Sequence, residues 1–172
     1  MTDTTDNHGK VYNVLFICTH NSARSILAEG LLNSLGCGRF QAFSAGSQPA
    51  GTVHPQALKT LARLNIPTEG FRSKDWSEFA GAEAPPMDFV FTVCDNAAGE
   101  VCPVWPGQPL TAHWGVPAPS AASGAGTEAD KERAFWDTAV ILKRRIELML
   151  ALPLASLDRM AVQRRIEDIG TR

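Results

Sequence analysis

A thiol and a guanidinium stand close together near the start of the chain. The segment Cys18–Ser25 reads CTHNSARS, so five residues separate Cys18 from Arg24. A thiolate is a strong nucleophile. An arginine can donate two parallel hydrogen bonds to two oxygens of an anion, which lysine cannot do. The residue types predict a nucleophile beside an oxyanion site, although the spacing alone is weak evidence.

The elements predicted on either side strengthen this interpretation. An apolar run, Val11–Cys18, indicates a buried strand, and the spacing of apolar residues over Ser22–Leu35 predicts a helix. A short loop between strand and helix points successive N–H groups inward, and the helix N-terminus adds partial positive charge. We therefore expect the Cys18 pKa to lie below its ordinary value of about 8.5. The alternative is a buried strand cysteine beside a solvated Arg24.

Each residue of this loop has an expected part in binding the anion. Asn21 tolerates the left-handed backbone angles of a tight loop. The hydroxyl of Ser25 is placed to donate to the sulfur of Cys18. The predicted oxyanion-binding residues are Thr19, His20, Asn21, Ser22, Ala23, Arg24 and Ser25.

Two further cysteines fall at the end of another predicted strand and in the loop after it. Cys94 ends the strand Met87–Cys94, and Cys102 follows seven intervening residues later. Because ligands bind at the carboxyl ends of parallel strands, one site would hold both Cys18 and Cys94. Two thiols release two electrons on forming a disulfide, and a third thiol can move that disulfide elsewhere.

Less reactive interpretations of these cysteines stay open. In one alternative, Cys94 is a core residue at the strand end and Cys102 is a passive loop residue. In another, Cys94, Cys102 and His113 bind a zinc ion. The spacings match no common zinc pattern and a fourth ligand is missing, so we expect no metal. Cys37 is interpreted as a small buried hydrophobe, and His20 as a loop-lining or exposed residue.

Strands alternating with helices predict an α/β fold whose parallel sheet is covered on both faces. Residues 1–10 are predicted to be a flexible tail, 11–150 the domain, and 151–172 a C-terminal helical extension that packs back or supports a dimer. Loops are expected over 95–109 and 115–127. The remaining predicted strands are Phe40–Ala45 and Leu110–Trp114, and the remaining helices are Pro55–Leu64, a weak Lys74–Ala80, Ala129–Leu150 and Ser156–Ile169.

Composition excludes several classes of protein. Of 172 residues, 44% are hydrophobic and 20% charged, which argues against disorder. The net charge is −2, so nucleic acid is not expected as a partner. No apolar stretch is long enough to span a bilayer, and the polar start lacks the features of a secretion signal. We therefore expect a cytoplasmic protein with reduced thiols.

Cys18–Ser25 resembles the signature of low-molecular-weight protein tyrosine phosphatases, the family that includes arsenate reductases coupled to thioredoxin or glutaredoxin. The likeness spans about residues 11–150 and includes Phe43–Ser47 (FSAGS) and Ala112–Gly115 (AHWG). The resemblance implies a four-stranded parallel sheet flanked by helices. It also implies a nucleophilic Cys18 and an Arg24 that binds the oxyanion.

The second cysteine pair makes the chain more similar to the arsenate reductases than to the phosphatases. The segment Val93–Gly107 (VCDNAAGEVCPVWPG) resembles the redox loop of those reductases. The implied mechanism has Cys18 attack arsenate and Cys94 attack Cys18, releasing arsenite. Cys102 then attacks Cys94, and an external thiol protein reduces the pair. The expected partners are arsenate, its analogues phosphate and sulfate, and thioredoxin or glutaredoxin with glutathione. No bound cofactor is implied, and both monomer and homodimer stay open.

One position departs from the family pattern. Where the family carries an aspartate that acts as general acid, this chain has Ala118. Such an acid is worth about 10²–10⁴ in rate, so its loss disfavours hydrolysis of phosphate esters. Asp95 is a weak candidate to replace it. The alternatives to an arsenate reductase are a low-molecular-weight phosphatase using Cys18 and Arg24, and a non-catalytic oxyanion-binding protein.

Overall fold

The fold is built on a four-stranded parallel sheet. The computed structural model describes residues 10–94, 105–119 and 127–172. The spatial order is β2-β1-β3-β4, and every neighbouring pair is parallel. The predicted α/β architecture is therefore confirmed. The strands are β1 (Tyr12–Cys18), β2 (Phe40–Gly46), β3 (Phe89–Thr92) and β4 (Leu110–His113).

Within the described residues, four α-helices flank the sheet, and most of them begin at residues that satisfy their first N–H groups. His54 accepts from Gln56 N at the start of the second helix, which has proline in its first turn. Thr127 and Asp130 form a capping box at the start of the third. The helices are α1 (Arg24–Leu35), α2 (Pro55–Arg63), α3 (Glu128–Leu150) and α4 (Arg159–Ile169), and a 3-10 helix spans Trp76–Phe79.

The core lies on the two central strands. Residues 14–17 of β1 are completely buried, as the continuous apolar run predicts. The ring of Trp114, just beyond β4, stacks on Phe91 of β3 with centroids 3.9 Å apart. None of the helices within the described residues is long and apolar enough to cross a membrane.

Three local predictions were wrong. The predicted helix Lys74–Ala80 is only the four-residue 3-10 helix, whose cap is the side chain of Asp75. The first helix begins at Arg24 rather than Ser22, because the preceding residues form the loop after β1. Cys37 is exposed rather than buried, since it lies in the turn after α1 with a left-handed φ of 46°.

The extension packs back on the domain at the outer edge of β4. Val162, Ile166 and Ile169 of α4 are buried. The indole Nε1 of Trp114 donates to Ile166 O at 2.9 Å, and the side chain of Gln163 donates to Thr111 O at 2.9 Å. β4 is an edge strand, and an uncovered edge strand presents unpaired N–H and C=O groups to other chains. Helix α4 covers this edge.

Candidate active site

The loop between β1 and α1, residues 18–25, turns its carbonyl groups outward. Gln48 N donates to Thr19 O at 2.8 Å, and Ala50 N donates to His20 O at 3.0 Å. His54 N donates to Ser22 O at 2.9 Å. In a planar trans peptide the N–H opposes the carbonyl, so the N–H groups that follow these carbonyls point inward. We call residues 18–25 the anion loop.

The inner side of the anion loop is suited to a negative charge. The His20 N–H hydrogen-bonds the sulfur of Cys18. Ala23, the residue before α1, provides no side-chain cap, so the first N–H groups of α1 are left for another acceptor. Backbone N–H groups at a helix N-terminus bind tetrahedral anions. The geometry therefore agrees with the interpretation of Thr19–Arg24 as an oxyanion cradle.

Gly46 explains part of the FSAGS segment. A Cβ at this position would lie 2.5 Å from Thr19 O and 3.0 Å from Asn21 N. Only glycine lets β2 approach the anion loop this closely. The strand end and the anion loop thus form one packed unit.

Asn21 anchors the anion loop through its side chain to the elements packed around the loop. It is completely buried and has a left-handed φ of 49°. Its Nδ2 donates to Ser25 Oγ at 2.8 Å and to Ser44 Oγ at 3.0 Å, and its Oδ1 accepts from Lys74 N at 2.9 Å. One side chain therefore ties the loop to α1, β2 and the segment before the 3-10 helix. The donation from Ser25 to Cys18 stays a prediction.

Two ionisable groups, the half-buried Glu29 and the buried Lys74, support Asn21. The Oγ of Ser44 donates to Glu29 Oε1 at 2.5 Å, and Lys74 Nζ lies 3.4 Å from both Asn21 Oδ1 and Ser44 Oγ. Burial raises the pKa of Glu29 above its ordinary value, although Ser44 and Lys74 oppose this. Burial likewise lowers the pKa of Lys74, and Glu29 opposes that shift. Sequence reasoning missed both, because their contacts with Ser44 and Asn21 join segments that are separated along the chain.

Cys94 lies against the anion loop beside Cys18. Its Sγ accepts from Thr19 N at 3.3 Å and is 3.5 Å from Thr19 Oγ1. The side chains of Cys18 and Cys94 also hydrogen-bond each other, and both residues are buried. β3 ends at Thr92 rather than at the predicted Cys94, but the two residues that follow it still bring Cys94 beside Cys18 at the end of β1.

The contact with Cys94 reverses the expected direction of the Cys18 pKa shift. The hydrogen bond that the Cys18 thiol donates to Cys94 and the burial of Cys18 raise this pKa above its ordinary value. The charge of Arg24 acts in the opposite direction, and so does the His20 N–H, as the inward N–H groups of the loop predicted. The upward shift arises mainly because the proton on Cys18 is held in the hydrogen bond with Cys94, and a charge on Cys94 would further oppose a charge on Cys18.

Arg24 faces both the anion loop and the end of β4. Its Nη1 donates to Val116 O at 3.0 Å, and its charge acts on Cys18. A guanidinium has five N–H donors, so others are left for an anion. Ala118 follows on the same segment and is half-buried. Its methyl group supplies no proton where the family pattern has a carboxyl.

Other residues singled out from the sequence lie away from the thiols or outside the described residues. His20 is exposed, with its Nδ1 3.1 Å from Gln48 O. His113 is exposed, with its Nδ1 2.8 Å from Thr92 Oγ1. Cys102 and Asp95 lie outside the described ranges. Within those ranges no three His, Cys, Asp or Glu side chains cluster as metal ligands would.

The described site combines a thiol at a strand end, a ring of inward N–H groups and an arginine. This arrangement defines a class of proteins that act on tetrahedral oxyanions through a cysteine. The family model for low molecular weight phosphotyrosine protein phosphatase matches residues 13–151. The chain belongs to this family.

Several relatives of this chain are arsenate reductases. The arsenate reductase of Halalkalibacterium halodurans is 34% identical over 116 residues, which are 67% of this chain and 79% of that protein. A glutaredoxin arsenate reductase of Synechocystis sp. is 30% identical over 110 residues, which are 64% of this chain and 80% of that protein. A solved arsenate reductase in the phosphate binding state has a TM-score of 0.65 at 28% identity and covers 81% of this chain and 97% of its own.

Proposed function

We propose that this protein reduces arsenate to arsenite through a relay of thiols. The observation that carries the proposal is the position of Cys94, whose sulfur accepts a hydrogen bond from Thr19 N beside Cys18. A phosphatase of this family needs one nucleophilic thiol, whereas reduction needs a second thiol within reach of the first. The names of the relatives agree with this choice.

The proposed first step uses Cys18 as nucleophile. Its thiolate attacks arsenic, an S–As bond forms, and one arsenate oxygen leaves as water after protonation. Arg24 and the inward N–H groups of the anion loop bind the remaining oxygens. The incoming anion also competes with Cys94 for Thr19 N, which favours movement of the Cys94 sulfur away from that amide.

The second step transfers two electrons. Cys94 attacks the sulfur of Cys18, an S–S bond forms, and the electron pair of the broken S–As bond stays on arsenic. Arsenic passes from As(V) to As(III) while two thiols become one disulfide, so the electrons balance. In the proposed third step Cys102 attacks Cys94 and releases Cys18 as a thiolate.

An external dithiol protein then reduces the Cys94–Cys102 disulfide. Thioredoxin, or glutaredoxin with glutathione, supplies the two electrons in this proposal. Both donors operate in reducing compartments, which agrees with the expected cytoplasmic location. No metal takes part in any of these steps.

Ala118 favours reduction over ester hydrolysis. An alkoxide leaving group needs a proton from a general acid, and Ala118 offers none. Arsenate carries its own exchangeable protons, and its oxygen leaves as water. The missing acid is therefore expected to slow a phosphatase reaction by about 10²–10⁴ and to slow arsenate reduction less.

The test measures arsenite formation and NADPH consumption with thioredoxin and thioredoxin reductase, and in parallel with glutaredoxin, glutathione and glutathione reductase. Cys18→Ser and Cys94→Ser are expected to abolish turnover. Cys37→Ser is the matched control, because Cys37 is exposed in the turn after α1 and makes only a weak contact with Ser34 O. It is expected to keep wild-type turnover.

The outcomes separate the candidate functions. Turnover that survives Cys94→Ser would overturn the relay. No turnover with either donor, together with hydrolysis of an aryl phosphate, would favour the phosphatase. Tight phosphate binding without either reaction would favour a non-catalytic oxyanion-binding protein.

A further inference from the structure

Arg145 of α3 is a buried cation that the proposed reaction does not use. Its residue exposure is 7%. Its Nη1 donates to Trp114 O at 2.8 Å and to Gly115 O at 3.1 Å. Its buried Nε has no hydrogen-bond partner. No carboxylate of the described residues lies within 4 Å of its guanidinium. Burial therefore lowers the pKa of Arg145 without an opposing negative charge nearby.

A group of this kind is costly if its only task is to fill the core. Burying a charge without a counter-ion is unfavourable, and an orphaned buried donor adds to that cost. Buried polar contacts also rigidify the segments that they join. The segment held here runs from Trp114 to Val116.

This segment connects Arg145 with Arg24. Trp114 N donates to Thr92 O, at the end of β3, and Val116 N donates to Val93 O, just beyond it, which continues the pairing of β4. The carbonyls of Trp114 and Gly115 bond to Arg145, and the next carbonyl, Val116 O, bonds to Arg24 Nη1 at 3.0 Å. A shift of the Gly115 peptide would move Val116 O, since the peptide units are rigid and adjacent.

We propose that Arg145 is a positioning residue that fixes the segment Trp114–Val116 and thereby the place of the Arg24 guanidinium at the anion loop. The inference rests on the oxyanion-binding role given to Arg24 in the proposed function. Misplacement of a binding group by about 1 Å costs up to about a hundredfold in rate. Arg145 therefore acts on the anion without touching it.

The test measures how strongly the charge of Arg24 attracts an anionic reagent to Cys18, and it does not use arsenate. Cys18 is alkylated with iodoacetate, an anion, and with neutral iodoacetamide at low salt, and each product is quantified by peptide mass spectrometry. The iodoacetate-to-iodoacetamide rate ratio is measured at Cys18 and, as an internal reference, at exposed Cys37. The value compared between variants is the Cys18 ratio divided by the Cys37 ratio. A guanidinium held beside Cys18 raises this value above one, because it attracts the anionic reagent.

Two variants and a control probe the position. Arg145→Met is expected to lower the value about tenfold, because both carbonyl contacts are lost. Arg145→Lys keeps the charge but not the reach of the guanidinium, and is expected to lower it about threefold. Arg144→Met removes an equal charge from an exposed site on the same helix and is expected to leave it unchanged. Circular dichroism identifies the folded variants.

The outcomes separate this inference from the proposed function. A wild-type value in a folded Arg145 variant would overturn the inference, as would a value of one in the wild-type protein. A merely structural role would lower the free energy of unfolding and leave the value unchanged. A high wild-type value that falls in the Arg145 variants, found in a protein without arsenate turnover, would support the inference and reject the reductase.

Discussion

Replacing Asn21 by alanine tests whether the anion loop is held by one side chain. The change removes the bonds to Ser25 and Ser44 and the acceptor of Lys74 N, and leaves alanine at a φ of 49°. The loop would then lose its ties to α1, β2 and the segment before the 3-10 helix. We expect both stability and oxyanion affinity to fall.

The magnitude follows from these contacts. Leaving the buried Lys74 N–H without a partner costs about 1–3 kcal/mol, and the left-handed conformation costs alanine about 1–2 kcal/mol. The expected loss in the free energy of unfolding is therefore about 2–5 kcal/mol. Asn21→Gly loses the same bonds but adopts this φ without strain, so it is expected to be about 1 kcal/mol more stable than Asn21→Ala.

Urea unfolding and phosphate binding by calorimetry measure the two effects. Asn33→Ala is the matched control, because Asn33 also bonds to the backbone, at Ala42, but is exposed and belongs to α1. It is expected to cost about 1 kcal/mol and to leave phosphate affinity unchanged. A loss below about 1 kcal/mol in Asn21→Ala, or a less stable Asn21→Gly, would refute the reasoning.

Three further changes test other parts of the molecule. Ala118→Asp is expected to raise aryl phosphate hydrolysis by up to about a hundredfold, measured by product release, whereas Ala118→Asn is not; equal rates would contradict the missing acid. Burial lowers the pKa of His54 below 6.5 in the folded state. The contribution of the neutral imidazole to the free energy of unfolding is therefore complete above pH 6.5 and is lost as the pH falls through the folded-state pKa. Urea unfolding should therefore show a smaller acid-induced loss of stability for His54→Asn, and equal losses would contradict the lowered pKa of His54. Ile166→Ala should cost about 2–5 kcal/mol in urea unfolding, but Met160→Ala, at an exposed site, almost nothing; equal costs would separate α4 from the folded domain.

The strands and the first active-site loop could be predicted because their signals are local. The continuous apolar run that ends at Cys18 predicts β1 to within one residue. The thiol, the arginine and the tight loop follow each other in the chain, so their common site is visible in the sequence. The meeting of Cys18 and Cys94 required only that both lie at the carboxyl ends of parallel strands.

The remaining parts of the site depend on contacts between distant segments. Lys74 reaches Asn21 across 53 positions, and Arg145 reaches Trp114 across 31. In the sequence, Arg145 is one of several charged residues of a long helix, and nothing local marks it as buried. The raised Cys18 pKa escaped prediction for the same reason, since it depends on a neighbour from another strand.

The outward carbonyls of the anion loop have a consequence for selectivity. Each of the three described above is held by the segment 48–54, so the ring of N–H groups is set before any ligand arrives. A preformed tetrahedral cradle accepts phosphate as readily as arsenate, because the two anions share shape and charge. Under the proposed function, arsenate must therefore compete with cellular phosphate, and discrimination arises only after binding, when arsenic accepts electrons that phosphorus refuses.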